Sequence, residues 1–195
     1  ARYSIVCYVN ADIILPTNFL SSIEITSKYF NKFLFIGHRW DMDINKKIDF
    51  GNKSEENNFW NSANQKSKKH ACTGIDYFVF RKNMYKKIPD FIIGRWGWDN
   101  WLIWYVRRRM LPVIDATDEV HAIHQNHSYK YHNINGLEDS KKGSEAKRNR
   151  ELHKDNKLNI LDSTHKLNNS MIIKKNDSNF KIRNLHRLPM IFPEL

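Results

Sequence analysis

Residues 3–9, YSIVCYV, form a short, nearly continuous apolar run that stops at Asn10-Ala11-Asp12. A run of this kind is expected of a strand buried on both faces, as in a mostly parallel sheet covered by helices. Pro16-Thr17 then opens a segment in which Phe19, Leu20, Ile23 and Phe30 recur at helical spacing. A second apolar run, FLFIGHRW (33–40), follows. Strand, helix and strand in that order predict a βαβ unit, whose functional loops lie at the carboxyl ends of the strands. The pattern assigns the chain to the α/β class.

The 195 residues are sized for one domain with a tail, and 41% hydrophobic and 13% aromatic content is enough for a real core. Residues 44–70 are dominated by Lys, Asn and Ser and read as a long surface excursion. IDYFVFRK (75–82) reads as a third strand. WDNWLIWYVRRR (98–109) reads as a helix with Asp99 and Asn100 in its first turn, where an acidic group suits the helix dipole. LPVIDAT (111–117) is strand-like, and VHAIHQNH (120–127) continues it or turns. Beyond residue 136 the chain becomes polar, with a short helix expected near SEAKRNREL and a weak strand near LNILDST.

The formal net charge is +11. Such a surplus invites a nucleic-acid reading, but it lies in lysines of 45–70 and 141–187, outside the motif-bearing parts, so no nucleic-acid partner is expected. Cys7 and Cys72 are the only cysteines and read as two reduced, buried thiols of a cytoplasmic protein. No apolar run approaches the ~18 residues of a membrane span.

Four residue groups carry chemistry. Asn10-Ala11-Asp12 sits just past a strand end and offers hard oxygen ligands suited to Mn²⁺ or Mg²⁺. Asp41-Met42-Asp43 is a literal D-x-D and competes with Asp12 for that role. His121, His124 and His127 are spaced by three. On a helix they would share a face and suit a zinc site, whereas one of them joining Asp12 around a divalent ion fits the extended backbone better. Finally, RWGWDNWLIW (95–104) sets Asp99 among four tryptophans. Trp101 and Trp104 are three apart and expected in the core. Trp96 and Trp98, beside Gly94 and Gly97, are candidates for a sugar-stacking platform, with Asp99 as the base that removes a hydroxyl proton.

Taken together, YVNADIIL, GHRWDMDI, TGIDYFVF, IPDFIIGRWGWDNWLI, VIDATDEVHAIHQNHSY and GSEAKRNREL resemble a family of bacterial glycosyltransferase-like proteins with the GT-A fold of nucleotide-diphospho-sugar transferases. The resemblance runs from about residue 3 to 165. It implies a GT-A-like mixed sheet with flanking helices over 1–165, followed by a polar C-terminal tail, 166–195. It implies that Asn10 and Asp12 stand where a DXD-type motif holds Mn²⁺ and the donor diphosphate, with Asn10 replacing the usual first acid. A late histidine, His124 or His127, would complete the metal shell. Asp99 would be the base of an inverting transfer, and Asp76, Trp96, Trp98 and Asn100 would face a carbohydrate acceptor. In this family the nucleotide-base pocket precedes the DXD-type strand. Only nine residues precede Asn10 here, so the donor half is expected to be missing, because the chain is an N-terminally incomplete fragment or because a partner supplies it, and the chain is expected to be inactive alone. Two other functions compete: a non-catalytic carbohydrate- or partner-binding remnant, and a metal-dependent hydrolase or nuclease drawing on the histidines.

Overall fold

The computed structural model describes residues 2–127 and 142–168, together with the backbone of 173–175. It is an α/β structure with two mixed sheets and, among the described residues, four α-helices. The larger sheet has the order β1 (Ile5–Val9), β6 (Tyr77–Arg81), β3 (Leu34–Ile36), β7 (Val113–Asp115), β9 (His165–Leu167) and β10 (Ile173–Lys175). The smaller has the order β2 (Ile13–Ile14), β8 (Ala122–Gln125), β4 (Arg39–Met42), β5 (Lys68–Lys69).

β3 and β7 are parallel, pairing Phe35 with Ile114, while β6 runs antiparallel to both β1 and β3. β1, β3 and β7 therefore point the same way. Each delivers its carboxyl end to a short crossing into the smaller sheet, β1 to β2, β3 to β4 and β7 to β8. This seam is where α/β sheets bind ligands. At the β3–β4 crossing Gly37 is required, since a Cβ there would lie 1.9 Å from the Tyr77 hydroxyl.

Side chains alternate across β3, so the two faces of the larger sheet bury different layers. Phe33 and Phe35 pack with α1 (Phe19–Tyr29) through Phe19 and Ile23. Leu34 and Ile36 pack with α3 (Trp98–Arg107) through Trp101, Leu102, Ile103 and Val106. Trp101 and Trp104 are core residues, as their spacing implied. In the smaller sheet Trp40, Met42, Ile14 and Ile123 form an apolar face against Phe59 and Ala63 of α2 (Lys53–Lys66).

Several expectations change. β1 is an edge strand with Cys7 and Val9 exposed, not a strand buried on both faces; Cys7 is thus an exposed thiol and Cys72 a half-buried one. The run 33–40 is two strands, because its halves pair in different sheets. The polar segment 44–70 contains α2: Asn52 caps it by accepting from the Ser54 and Glu55 amides, and Phe59 and Ala63, four apart, anchor it. LNILDST holds a 3₁₀ turn at Ile160–Asp162 rather than a strand. β9 crosses residue 165 and pairs with β7, so the sheet continues past that point; of the tail beyond, only 166–168 and 173–175 are described. The helix near SEAKRNREL is α4 (Ser144–His153). No helix among the described residues is long and apolar enough to cross a membrane.

Candidate functional site

The seam brings together residues far apart in sequence. β2 pairs with β8 so that Ile13 lies opposite His124, which carries Asp12 to the histidines. Asp12 Oδ2 lies 2.9 Å from His127 Nε2 and 3.3 Å from His124 Nε2. One ligand atom from each of Asp12, His124 and His127 falls within 4.8 Å of the others. Asp12 Oδ1 is buried and receives no hydrogen bond from the described residues, so it is chemically able to meet a cation. Two imidazoles and a carboxylate suit Mn²⁺ and Zn²⁺ alike. His121 is not part of the group; it meets Ser67 and Asn64 instead, which removes the three-histidine arrangement.

The literal D-x-D does not form the triad. Arg39 and Asp41 alternate with Trp40 and Met42 along β4, so the polar pair faces away from α2. Asp41 Oδ1 lies 3.0 Å from His124 Nδ1 and 2.9 Å from Arg39 Nε, charge contacts rather than aligned hydrogen bonds. Asp41 thus stands behind a triad histidine, the place of an outer partner that orients a ligand. Burial pushes the Asp41 carboxyl up, but the His70 hydrogen bond and the charges of Arg39, His70 and His124 hold it below the usual range. Asp43 accepts from Asn126.

Arg39 connects the triad to a neighbouring cleft. Its Nη1 donates to Asp76 Oδ2 at 2.8 Å, and Asp76 Oδ1 accepts from Asn10 Nδ2 at 2.6 Å. Asn10 therefore braces Asp76 rather than joining Asp12. The cleft, about 210 Å³, is lined by Asn10, Arg39, His70, Asp76, Trp96, Trp98, Asp99 and Asn100 among others. That is small beside the ~300–1,000 Å³ of drug-sized pockets and suits a compact polar ligand. A larger hollow of about 380 Å³, lined by Ile14, Ile44, Lys46, Lys47, Ile48 and Phe50, contains no acid or histidine.

Asp99 lies in the first turn of α3, its Oδ1 accepting from the Asn100 amide at 2.9 Å. Burial, with a contribution from the Asp76 charge, pushes its carboxyl up to about 7. A group at that value exchanges protons near neutral pH. The phenol of Tyr8 is raised by burial and by the charges of Asp76, Asp12 and Asp99, which places all three acids around one side chain.

The remaining expected site residues serve partly as scaffold. Trp98 is 8% exposed and packs edge-on to Tyr8 at 5.0 Å, so it contributes a wall of the cleft and not an open platform. Trp96 is more exposed, but the Lys157 ammonium lies 3.8 Å from its ring centroid and covers one face. Asn100 is buried and donates to the Leu158 carbonyl at 2.8 Å. Gly97, at φ +96°, starts α3; a Cβ there would strike the His153 ring. Asn149 of α4 was not singled out from sequence, yet it holds the loop 92–97 by accepting from the Ile92 amide and donating to the Ile92 and Arg95 carbonyls. His70 was likewise missed; the cleft shows it, and no local motif does.

No family model, no curated protein and no solved structure matches the chain. The functional reading therefore rests on the resemblance carried by the sequence motifs and on the geometry of this seam.

Proposed function

We propose that the chain is a GT-A-like glycosyltransferase domain that moves a sugar from a nucleotide-diphospho-sugar to an acceptor hydroxyl, with help from a divalent cation and with inversion. The observation that carries this reading is the meeting of Asp12, His124 and His127 at the strand ends, joined through Asp41, Arg39 and Asp76 to a cleft that holds Asp99. A Mn²⁺ or Mg²⁺ ion at the triad would supply positive charge to grip the donor diphosphate and ease its departure.

The chain's own residues supply the rest. Asp99 takes the proton of the acceptor hydroxyl as its oxygen bonds to the anomeric carbon. The bond from that carbon to the diphosphate oxygen breaks, and its electron pair leaves with the nucleoside diphosphate. A carboxyl raised to about 7 is a stronger base than an ordinary aspartate and remains partly ionised at neutral pH. Asp76, fixed by Arg39 and Asn10, and the rings of Trp96 and Trp98 shape the acceptor side of the cleft.

The test is an NMR titration with Mn²⁺, with and without UDP, following paramagnetic broadening by residue. Broadening centred on Asp12, His124 and His127 and strengthened by UDP is the expected result. Asp99→Asn should then abolish transfer while leaving that broadening intact; unchanged transfer would remove Asp99 from the mechanism. Glycoside binding that ignores both cation and UDP would instead mark a non-catalytic carbohydrate-binding domain. The same donor set also suits Zn²⁺, and preferential Zn²⁺ binding without a UDP effect would favour a metal-dependent hydrolase.

A further inference from the structure

One side chain in the cleft combines an orienting partner with an open ring nitrogen. His70 lines the cleft and is about one-third exposed. Its backbone is fixed on both sides: the amide donates to the Arg39 carbonyl at 3.0 Å, and its own carbonyl lies 3.0 Å from His38 Nδ1. Its ring packs over Gly74, where a Cβ would come within 2.2 Å of Cδ2. Nδ1 lies 2.5 Å from Asp41 Oδ2, and Arg39 Nη2 is 3.5 Å away. Nε2 makes no hydrogen bond among the described residues.

The short Asp41 contact fixes Nδ1 at one side of the ring, and in the tautomer that the inference requires Nδ1 carries the proton and the carboxylate accepts it. In the neutral ring that leaves the lone pair on Nε2, at the far side of the imidazole from Asp41. The arrangement of a carboxylate, an imidazole and an open nitrogen is the one by which an imidazole is oriented toward a substrate hydroxyl. The other groups of the cleft point to the same ligand chemistry. Asp76 and Asp99 are also hydrogen-bond acceptors, while both arginines of the cleft are engaged by carboxylates, Arg95 by Glu145 at 2.5 Å and Arg39 by Asp76 at 2.8 Å. A cleft with several acceptors and carboxylates fits a ligand rich in hydroxyl donors better than an anionic one.

We propose that His70, oriented by Asp41, is a substrate-contacting residue whose Nε2 accepts a hydrogen bond from a hydroxyl of the bound sugar acceptor. The inference rests on the sugar-transfer reading above and adds a contact to it. Asp41 then serves two centres, His124 of the cation triad through Oδ1 and His70 of the cleft through Oδ2.

Long-range ¹⁵N–¹H spectra of the imidazoles in the full chain at pH 8 test it, before and after adding methyl β-glucoside, methyl β-galactoside or N-acetylglucosamine. The expected result is an Nδ1–H tautomer for His70, lost in Asp41→Ala, and a displaced Nε2 signal when a glycoside binds. His70→Phe should weaken that glycoside roughly five- to tenfold, as the loss of one hydrogen bond does, and His70→Gln should recover part of it. An Nε2–H tautomer in the wild-type chain overturns the inference. So does a glycoside that shifts Asp99 and Trp96 signals and leaves His70 unmoved, a result under which the sugar reading survives. If none of the three shifts any cleft signal, the sugar reading and this inference fail together. Should Asp41→Ala not fold, the wild-type tautomer and the two His70 variants decide the matter.

Discussion

The cation triad and the Asp99 cleft are neighbours around Tyr8, yet they are built in opposite ways. The triad gathers positions 12, 124 and 127 at the rim, and its carboxylate lies against two imidazoles. His127 and Asp12 keep 41% and 30% side-chain exposure. The cleft joins one contiguous stretch, 94–100, set on the core by α3, to Asn10, Arg39, His70 and Asp76, and burial rather than a neighbouring cation governs its Asp99 carboxyl. The same residue type is therefore prepared for two tasks by its surroundings. Asp12 lies beside histidines, a setting that suits a cation; Asp99, desolvated and near another acid, has its carboxyl raised toward neutrality.

Because Trp98 of the cleft rests on the core and His127 of the triad does not, their mutational costs must separate. Trp98→Ala removes a ring packed on Tyr8 and Phe78 and should cost about 3–5 kcal/mol in urea denaturation. His127→Ala should cost no more than about 0.5 kcal/mol. Equal costs would break the contrast.

The two acids should also differ in how pH acts on the fold. The Asp99 carboxyl stands at about 7 in the folded chain against an ordinary 3.8, so between those values the folded state binds more protons than the unfolded one. Stability contributed by this group is full below about pH 4 and is lost as pH rises through about 7. The loss is on the order of 4 kcal/mol. Asp99→Asn should flatten this slope and raise the urea midpoint at pH 8 relative to wild type. An unchanged slope would mean that Asp99 is solvated like any surface acid.

Cation affinity sharpens the contrast from the other side. Asp12→Ala should weaken Mn²⁺ binding by more than the ~10–100-fold that loss of an outer partner costs, measured by calorimetry or by the Mn²⁺ paramagnetic resonance signal. Asp99→Asn should leave that affinity unchanged. A comparable loss in both would make the triad and the cleft a single site.

How much of this was legible in the residues follows the same division. The contiguous elements read well: α1, β6 and α3 declare themselves through local periodicity, and Trp101 and Trp104 through their spacing. The ligand types at Asp12, His124 and His127 were visible too, but the register that opposes Ile13 to His124 is a long-range fact. The alternation R-W-D-M in 39–42 contains a strand with one polar face, yet that face gains meaning only when β4 lies parallel to β8, which sets Asp41 opposite His124. α2 was hidden because Phe59 and Ala63 are its only buried residues in a Lys- and Asn-rich segment, where composition outweighs two anchors four residues apart. Trp98 misled for a related reason: a glycine-flanked tryptophan reads as exposed until the sheet beneath it, with Tyr8 and Phe78, is in place.

The smallest expected effect concerns the one aromatic ring of the cleft that retains access. Lys157 holds its ammonium 3.8 Å from the centroid of Trp96 while His153 meets the same ring at 5.6 Å. An exposed cation–π contact is worth about 0.5–1 kcal/mol, so Lys157→Met should lower stability by no more than that. Its bearing on the comparison is larger than its energy. A sugar that stacks on the face covered by Lys157 must displace the ammonium, and Lys157→Met should then tighten glycoside binding, read as quenching of tryptophan fluorescence at lower ligand concentration. Unchanged affinity would place the sugar against the opposite face or on the edges of Trp96 and Trp98. Weaker affinity would make Lys157 itself a contact, and the cleft would then offer the ligand a cation as well as its acceptors, drawing it chemically closer to the triad it is contrasted with.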